Sequence, residues 1–203
     1  MSTANQVDPA TVKPTASNQV VNVPNSLSAL RFVLAILVCI WIEQQWFLAA
    51  LIGFIVAVST DWIDGYWARR FNQVTKLGRI LDPFVDKIII SGTLIGLVGQ
   101  PGSGVAAWIA TVVVGRELLV TSLRGMIEGQ GGDFSAKQLG KWKMVLQCAA
   151  VIVCLLGLMW KDSTPAWLPW VRTATIWSAV ILTIVSGVEY ILLAIRNKPS
   201  PSK

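Results

Sequence analysis

From residue 26 onward the chain is a succession of apolar runs, cut by short polar breaks into six pieces. The pieces cover about 26–43, 46–70, 77–98, 105–127, 138–160 and 172–195. Each is near the ~20 residues that an α-helix needs to cross a bilayer. The breaks are EQQ, a basic turn at 71–76, GQPGSG, EGQGGDFS and KDSTPAWLPWVR. They carry the Gly, Pro, Ser and charged residues that end helices. This pattern predicts an all-α integral membrane protein, a six-transmembrane-helix bundle forming one domain over residues 23–196. Pro24, Asn25 and Ser26 supply its first helix start. Residues 1–22 are polar and rich in Ser, Thr, Asn and Pro, and are expected to be a disordered tail. No apolar segment follows them closely enough for a cleavable signal peptide. Residues 197–203 are expected to be a second short tail. No internal repeat is evident.

One stretch breaks the apolar pattern from inside. Residues 61–86 read DWIDGYWARRFNQVTKLGRILDPFVD, with apolar sequence on both sides. They place Asp61, Asp64, Asp82 and Asp86 at membrane depth, where one charge costs at least ~2.5–3.5 kcal/mol without a partner. Asp61 and Asp64 are three apart, and Asp82 and Asp86 four apart, so each pair shares a helix face. A hairpin centred near Gln73 sets Asp64 level with Asp82, and Asp61 with Asp86 about one turn (~5 Å) deeper. Four carboxylates from two helices suit a divalent metal or a pair of them. Hard oxygen ligands favour Mg²⁺ or Mn²⁺, with substrate phosphate completing the coordination.

Composition narrows the chemistry. The chain has 203 residues, 54% hydrophobic and 14% charged. It contains no His, which removes the usual general base and the usual zinc or haem ligand. Proton abstraction must then fall to a carboxylate. Cys39, Cys148 and Cys154 all lie in apolar runs without paired spacing, and read as small buried hydrophobes.

Lys and Arg concentrate in the N-terminal tail, the 69–79 turn, the 124–143 segment and the C-terminus. That bias predicts both termini and the acidic site on the cytosolic side. Trp41, Trp46, Trp108, Trp160, Trp167 and Trp170 are expected at the opposite interface as an aromatic belt. The net charge of +6 reads as positive-inside bias with attraction to anionic membrane lipids, and nothing points to nucleic acid.

Several residues near the acids have two readings. Arg31 is either a snorkelling interfacial anchor or a phosphate contact. Gly65 and Ala68 either pack helices or let a flat ligand approach, and Gly78, one turn before Asp82, fits the same use. Arg69 and Arg70 end the second span as caps or as phosphate ligands. Pro83 opens the helix beside Asp82, and Lys87 stands ready to neutralise one acid. Farther on, Arg116 and Arg124 are eight apart on one helix face, with Glu117 as a neighbouring acid. Lys137, Lys141 and Lys143 cluster at the start of the fifth span, either as positive-inside bias or as ligands. Together these bases could bind a second phosphate, which favours a phosphorylated acceptor such as glycerol 3-phosphate.

Asp61-x2-Asp64-Gly65-x2-Ala68-Arg69-x8-Gly78-x3-Asp82-x3-Asp86 matches every fixed position of the motif of the CDP-alcohol phosphatidyltransferases, and the chain resembles that family. The resemblance implies a six-helix membrane bundle, a homodimer, and a cytosol-facing site with two metal ions. It implies displacement of CMP from a CDP-linked lipid such as CDP-diacylglycerol by an alcohol. It makes Asp61, Asp64 and Asp82 metal ligands, and Asp86 both ligand and catalytic base. Gly65, Ala68, Arg69 and Gly78 would line the CDP-lipid pocket with Asp64, and Arg31 joins them as a candidate phosphate contact. Asn22-x-Pro24-Asn25-Ser26-Leu27-Ser28-x2-Arg31, Gly115-Arg116-Glu117, Gly140-Lys141-x-Lys143 with Gln147, and Ser186-Gly187-x2-Tyr190 resemble bacterial members that use sn-glycerol 3-phosphate. That implies an inner-membrane location, with Arg116, Arg124, Lys137 and Lys141 on the acceptor phosphate. Met144 stands where those members are expected to carry Thr.

Two rivals share the motif: transfer to an inositol phosphate, and transfer to phosphatidylglycerol. A third, from another class, is a divalent-cation transporter, since membrane acids often mark ion paths. Against it, the acids sit toward one side, and Glu43 and Glu189 are isolated elsewhere.

Overall fold

The computed structural model describes the backbone of residues 23–71, 76–129, 138–160 and 163–196, and the side chains of these except 23–25, 61–71, 76–83, 86, 128–129 and 138–139. The described residues form six α-helices and no strand: α1 Val23–Glu43, α2 Phe47–Phe71, α3 Lys76–Val98, α4 Ala107–Gly129, α5 Gln138–Met159 and α6 Leu168–Arg196. At 1.5 Å per residue even the shortest reaches ~31 Å, the thickness of a bilayer's hydrocarbon core. By apolarity as well as length, Ser26–Glu43, Gly140–Met159 and Leu168–Arg196 qualify outright as spans. Among the described residues, Phe47–Thr60 of α2 and Lys87–Val98 of α3 are further apolar stretches of helix. In α4, Arg116, Glu117 and Arg124 interrupt the apolar sequence.

The helices begin and end within four residues of the predicted spans. The largest difference is α6, which starts at Leu168 rather than 172. Pro169 falls in its first turn, where a missing N–H removes no helical bond.

The α1–α2 corner is a Schellman cap. Gln45 N–H donates to the Ile42 carbonyl at 3.0 Å, and Trp46 N–H to the Trp41 carbonyl at 2.8 Å. Gln45 takes the left-handed conformation, φ 61°, that this cap usually gives to Gly. The turn makes α1 and α2 antiparallel neighbours. Gly53 is their close-contact point: a Cβ there would meet Trp41 Cζ3 at 2.6 Å. Trp41 is thus half-buried against α2 and packs on the core, while Trp46, Trp108, Trp160, Trp167 and Trp170 are exposed as expected of a belt.

α1 packs against both α2 and α3, α5 against α6, and α4 against α6 and α3, while α2 and α3 meet α5 across the bundle. The core lies where these helices converge, around Val38, Phe54, Ile89, Leu97, Val113, Val151 and Leu155. Outward positions carry large apolar side chains such as Ile36, Ile52, Leu118, Ile181 and Leu192, the surface that suits a lipid solvent.

The loop between α3 and α4 is pinned from two directions. Gln100 Nε2 donates to the Ile42 carbonyl at 2.9 Å, satisfying an end carbonyl of α1. Arg172 Nη1, near the start of α6, donates to the Gly102 carbonyl. Gly102 and Gly104 have φ values of 89° and 79°, so this loop needs glycine. Its bonds bring the ends of α1, α3 and α6 to one side of the bundle.

Candidate active site

With α1, α2 and α3 tied together at that end, depth can be counted along each helix. Arg31 lies twelve residues before the end of α1 at Glu43, Asp61 fourteen residues after the start of α2, and Asp86 twelve before the end of α3. These are ~18–21 Å from the pinned end. Asp64 and Asp82 follow at seventeen and sixteen residues, about one turn further. The backbone register therefore sets the four acids in two levels on consecutive, contacting helices. Asp is a residue type that supplies hard oxygen ligands to a divalent cation, and α2 and α3 each carry two. Among the described side chains, no group of three or more His, Cys, Asp or Glu gathers.

α1 turns one stripe toward these helices: Ser28, Arg31, Ala35, Val38 and Ile42 are all buried. Spacings of three and four residues make it a single face. Arg31 is 1% exposed and the largest fully buried side chain among the described residues. A snorkelling anchor keeps its charged head in water, so that reading of Arg31 fails. Its guanidinium belongs to the interior at the level of Asp61 and Asp86.

Across the bundle, α4, α5 and α6 build a polar layer. Glu117 on α4 and Lys143 on α5 are 7% and 6% exposed. Lys143 Nζ donates to Glu117 Oε1, and Arg116 Nη1 donates to the same oxygen at 3.4 Å. Arg116 lies with its Cζ 5.3 Å from the centroid of the Tyr190 ring on α6, a cation–π distance. Its Nε and Nη2 are buried and have no hydrogen-bond partner. On α5 and α6, buried Gln147 donates to Thr183 Oγ1 at 3.0 Å, and buried Ser186 donates to the Thr183 carbonyl at 3.1 Å. Two cations on one carboxylate leave these three side chains a net charge of +1 in a buried place. Buried charge of one sign calls for a counter-charge, and an anionic ligand meets that need.

The sequence-selected residues thus fall into separate groups. Arg31 and Arg116 are buried in the bundle. Arg124 is half-buried two turns along α4 from Arg116, and Lys141 is exposed on α5. Asp61, Asp64, Gly65, Ala68, Arg69, Asp82 and Asp86 are placed on α2 and α3 by their backbone, as is Gly78, and their side chains lie outside the described residues, as does Lys137 altogether. Sequence reasoning grouped Lys143 with the basic cluster at the start of α5, whereas the structure gives it to Glu117. The α6 side of the layer had one signal in sequence, the polar Thr183, Ser186 and Tyr190 recurring within an apolar span.

Comparison with known proteins supplies the family. The model of the CDP-alcohol phosphatidyltransferase family matches residues 21–185. A CDP-diacylglycerol–glycerol-3-phosphate 3-phosphatidyltransferase of Bacillus subtilis is 42% identical over 143 residues, 70% of this chain and 72% of the relative. Proteins of the same name from Shigella flexneri serotype 5b and Escherichia coli K12 are 31% and 30% identical over 179 residues, covering 85% of this chain and 94% of each relative. The matched segment takes in the paired acids of α2 and α3, the buried Arg31 and the polar layer as far as Thr183. By that match and that arrangement, this chain, a membrane-embedded helical transferase, belongs to the CDP-alcohol phosphatidyltransferase family.

Proposed function

We propose that the protein transfers the phosphatidyl group of CDP-diacylglycerol to sn-glycerol 3-phosphate, giving phosphatidylglycerophosphate and CMP. The activity in the relatives' names supports this reading. The observation that carries the acceptor assignment is Arg116, whose buried Nε and Nη2 have no hydrogen-bond partner and whose one carboxylate neighbour is shared with Lys143. A phosphate monoester offers the charge and the paired oxygens that a guanidinium binds bidentately. Uncharged alcohols offer neither.

The family is metal-dependent, and Asp61, Asp64, Asp82 and Asp86 would hold the metal, Mg²⁺ or Mn²⁺, as two ions. Bound there, the metal offsets the charge of the diphosphate and of the departing CMP. The remaining work falls to side chains. Asp86 accepts the proton of the glycerol hydroxyl as its oxygen attacks the β-phosphorus, the one that carries diacylglycerol. The bond from that phosphorus to the oxygen bridging it to the α-phosphate breaks, and CMP leaves with that oxygen. Arg31, buried at the level of the deeper acids, and Arg69 pair with phosphate oxygens of the CDP-lipid, while Gly65, Ala68 and Gly78 admit its flat base. Arg116, Arg124, Lys137 and Lys141 hold the acceptor phosphate.

The site opens to the cytosol, with both termini on that side of a bacterial inner membrane and the pinned loop on the other. Residues 1–22 and 197–203 are tails outside the catalytic bundle, and the protein works as a homodimer. The test is CMP release by purified protein with CDP-diacylglycerol and Mg²⁺ or Mn²⁺, comparing glycerol 3-phosphate, an inositol phosphate and phosphatidylglycerol. Release with glycerol 3-phosphate alone is expected. Release with another acceptor instead would move the acceptor assignment. No release with any, alongside metal uptake into vesicles without lipid substrate, would replace the enzyme with a transporter.

A further inference from the structure

Two basic residues, Arg116 and Lys143, reach the buried layer between α4, α5 and α6, and they are held differently. Lys143 gives its ammonium to Glu117 Oε1 from 26 residues away in sequence. Arg116 gives the same oxygen only one N–H, at 3.4 Å, longer than a strong charged hydrogen bond. Its other two buried nitrogens, Nε and Nη2, have no partner. All three side chains are more than nine-tenths buried.

α6 supplies the rest of the surround. The Tyr190 ring covers the Arg116 guanidinium with its centroid 5.3 Å from Cζ. Tyr190 is itself 3% exposed, and its hydroxyl approaches α5, where a Cβ on Gly140 would meet it at 3.4 Å. One turn earlier, Gly187 leaves room for the arginine stem, since a Cβ there would stand 3.1 Å from Arg116 Cγ. The Arg116 stem is thereby bounded by Gly187, and its guanidinium on one face by Tyr190 and at one nitrogen by Glu117. A long flexible side chain normally loses rotamer freedom when it binds. Here much of that cost is met in folding, and the open nitrogens are fixed in advance.

We infer that Glu117, Gly187 and Tyr190 are positioning residues for the acceptor. Glu117 withdraws Lys143 from ligand binding and steadies Arg116, and the α6 pair sets the plane of the guanidinium. This rests on the reading of Arg116 as the acceptor-phosphate ligand. Within the buried layer, the acceptor phosphate then meets one oriented guanidinium rather than a diffuse pair of cations, and Arg124, Lys137 and Lys141 add to it. Lys143 serves the layer as the counter-charge that holds the Glu117 carboxylate in place.

The experiment is a kinetic double-mutant cycle on the full chain, with Glu117→Gln, Lys143→Gln and the pair together. Tyr190→Leu and Arg116→Lys are measured beside them. Michaelis constants are taken separately for glycerol 3-phosphate and CDP-diacylglycerol, with the melting temperature of each detergent-purified variant. Glu117→Gln is expected to raise the acceptor constant about tenfold, the size of one charge-assisted hydrogen bond. The constant for CDP-diacylglycerol should stay within about twofold, since the ion pairs of Glu117 are with Arg116 and Lys143, neither of which is assigned to that substrate. Lys143→Gln should add little once Glu117 is changed, because Lys143 acts through Glu117. Tyr190→Leu should raise the acceptor constant severalfold, and it keeps the inference testable should the Glu117 variant not fold. Full multiplication of the Glu117 and Lys143 effects would make Lys143 an independent ligand and overturn the inference. Equal rises for both substrates, following the melting temperature, would make the layer structural only and overturn it too. An unchanged acceptor constant in Arg116→Lys would instead remove the acceptor reading itself, and the inference with it. A large rise in Arg116→Lys with none in Glu117→Gln and Tyr190→Leu would leave that reading and remove the inference.

Discussion

Gly53 offers a sharp test of how α1 is held. A methyl group there would stand 2.6 Å from Trp41 Cζ3 and 3.1 Å from Val38 Cγ2. Carbon atoms rest about 3.5–4.0 Å apart, so α1 or the indole must retreat by about 1 Å. Overpacking of this kind costs about 1–3 kcal/mol. Alanine recovers about 1 kcal/mol of helix propensity, so Gly53→Ala should lose up to about 2 kcal/mol. For a chain of this size that is a fall of up to about 8 °C in melting temperature. Gly125 on α4 is the matched control, because a Cβ there meets nothing within 4 Å. Gly125→Ala should gain about 0.5–1 kcal/mol from the same propensity term. The same chemical change thus has opposite signs at two helical positions. The assay is thermal unfolding of detergent-purified variants, followed by tryptophan fluorescence. CMP release at limiting CDP-diacylglycerol adds a second readout, since a shifted α1 carries Arg31 with it and misplacement by about 1 Å can cost up to about a hundredfold. A Gly53→Ala protein as stable as Gly125→Ala would refute the close packing of α1 on α2. A Trp41→Leu/Gly53→Ala protein that lost as much as the sum of its single changes would refute the contact with Trp41 in particular.

Three further outcomes follow from separate features. Gln45→Gly should raise stability by about 0.5–1 kcal/mol, because the left-handed φ of 61° strains every residue with a Cβ; the same melting assay reads it. Asp86→Asn should lower turnover at least about a hundredfold, as loss of a general base does, while CDP-lipid binding survives in part; near-wild-type turnover would end its role as base. Chelation of divalent ions should abolish CMP release, and added Mg²⁺ or Mn²⁺ should restore it; activity that persists in chelator would remove the metal from the reaction.

The six helices were legible because apolar runs of bilayer length ended at Gly, Pro and charged residues, as at Gly99-Gln100-Pro101. The start of α6 was not, since the Trp-Leu-Pro-Trp segment reads as interface linker, and only the fold shows Leu168 buried at 1%. The acidic spacing was legible in sequence, and the helix ranges place its four positions on α2 and α3; the turn expected near Gln73 lies outside the described residues. Arg31 was ambiguous because nothing in sequence tells an interfacial arginine from an interior one. The stripe Ser28–Arg31–Ala35 resolves it only once α2 and α3 are known to cover that face. The pairing of Lys143 with Glu117 was illegible for a related reason. Residues on separate helices meet according to helix rotation, which hydrophobic pattern leaves undetermined when apolar residues surround each span. Lys143 therefore looked like its neighbour Lys141, which the structure leaves exposed.

The two bonds that pin the α3–α4 loop have a mechanical consequence. Gln100 ties the loop to α1 and Arg172 ties it to α6, so that end behaves as the clamped base of a set of rods. Displacement of a rod grows with distance from its clamp. A tilt of about 5° leaves the loop almost still, yet moves the α1 backbone by about 1.5 Å at Arg31, ~18 Å away. Adjustment to a bulky two-tailed substrate is then concentrated where the acids and Arg31 lie, and it needs no helix to unwind. The loop acts as the fulcrum, and the charged end of the bundle as the jaws.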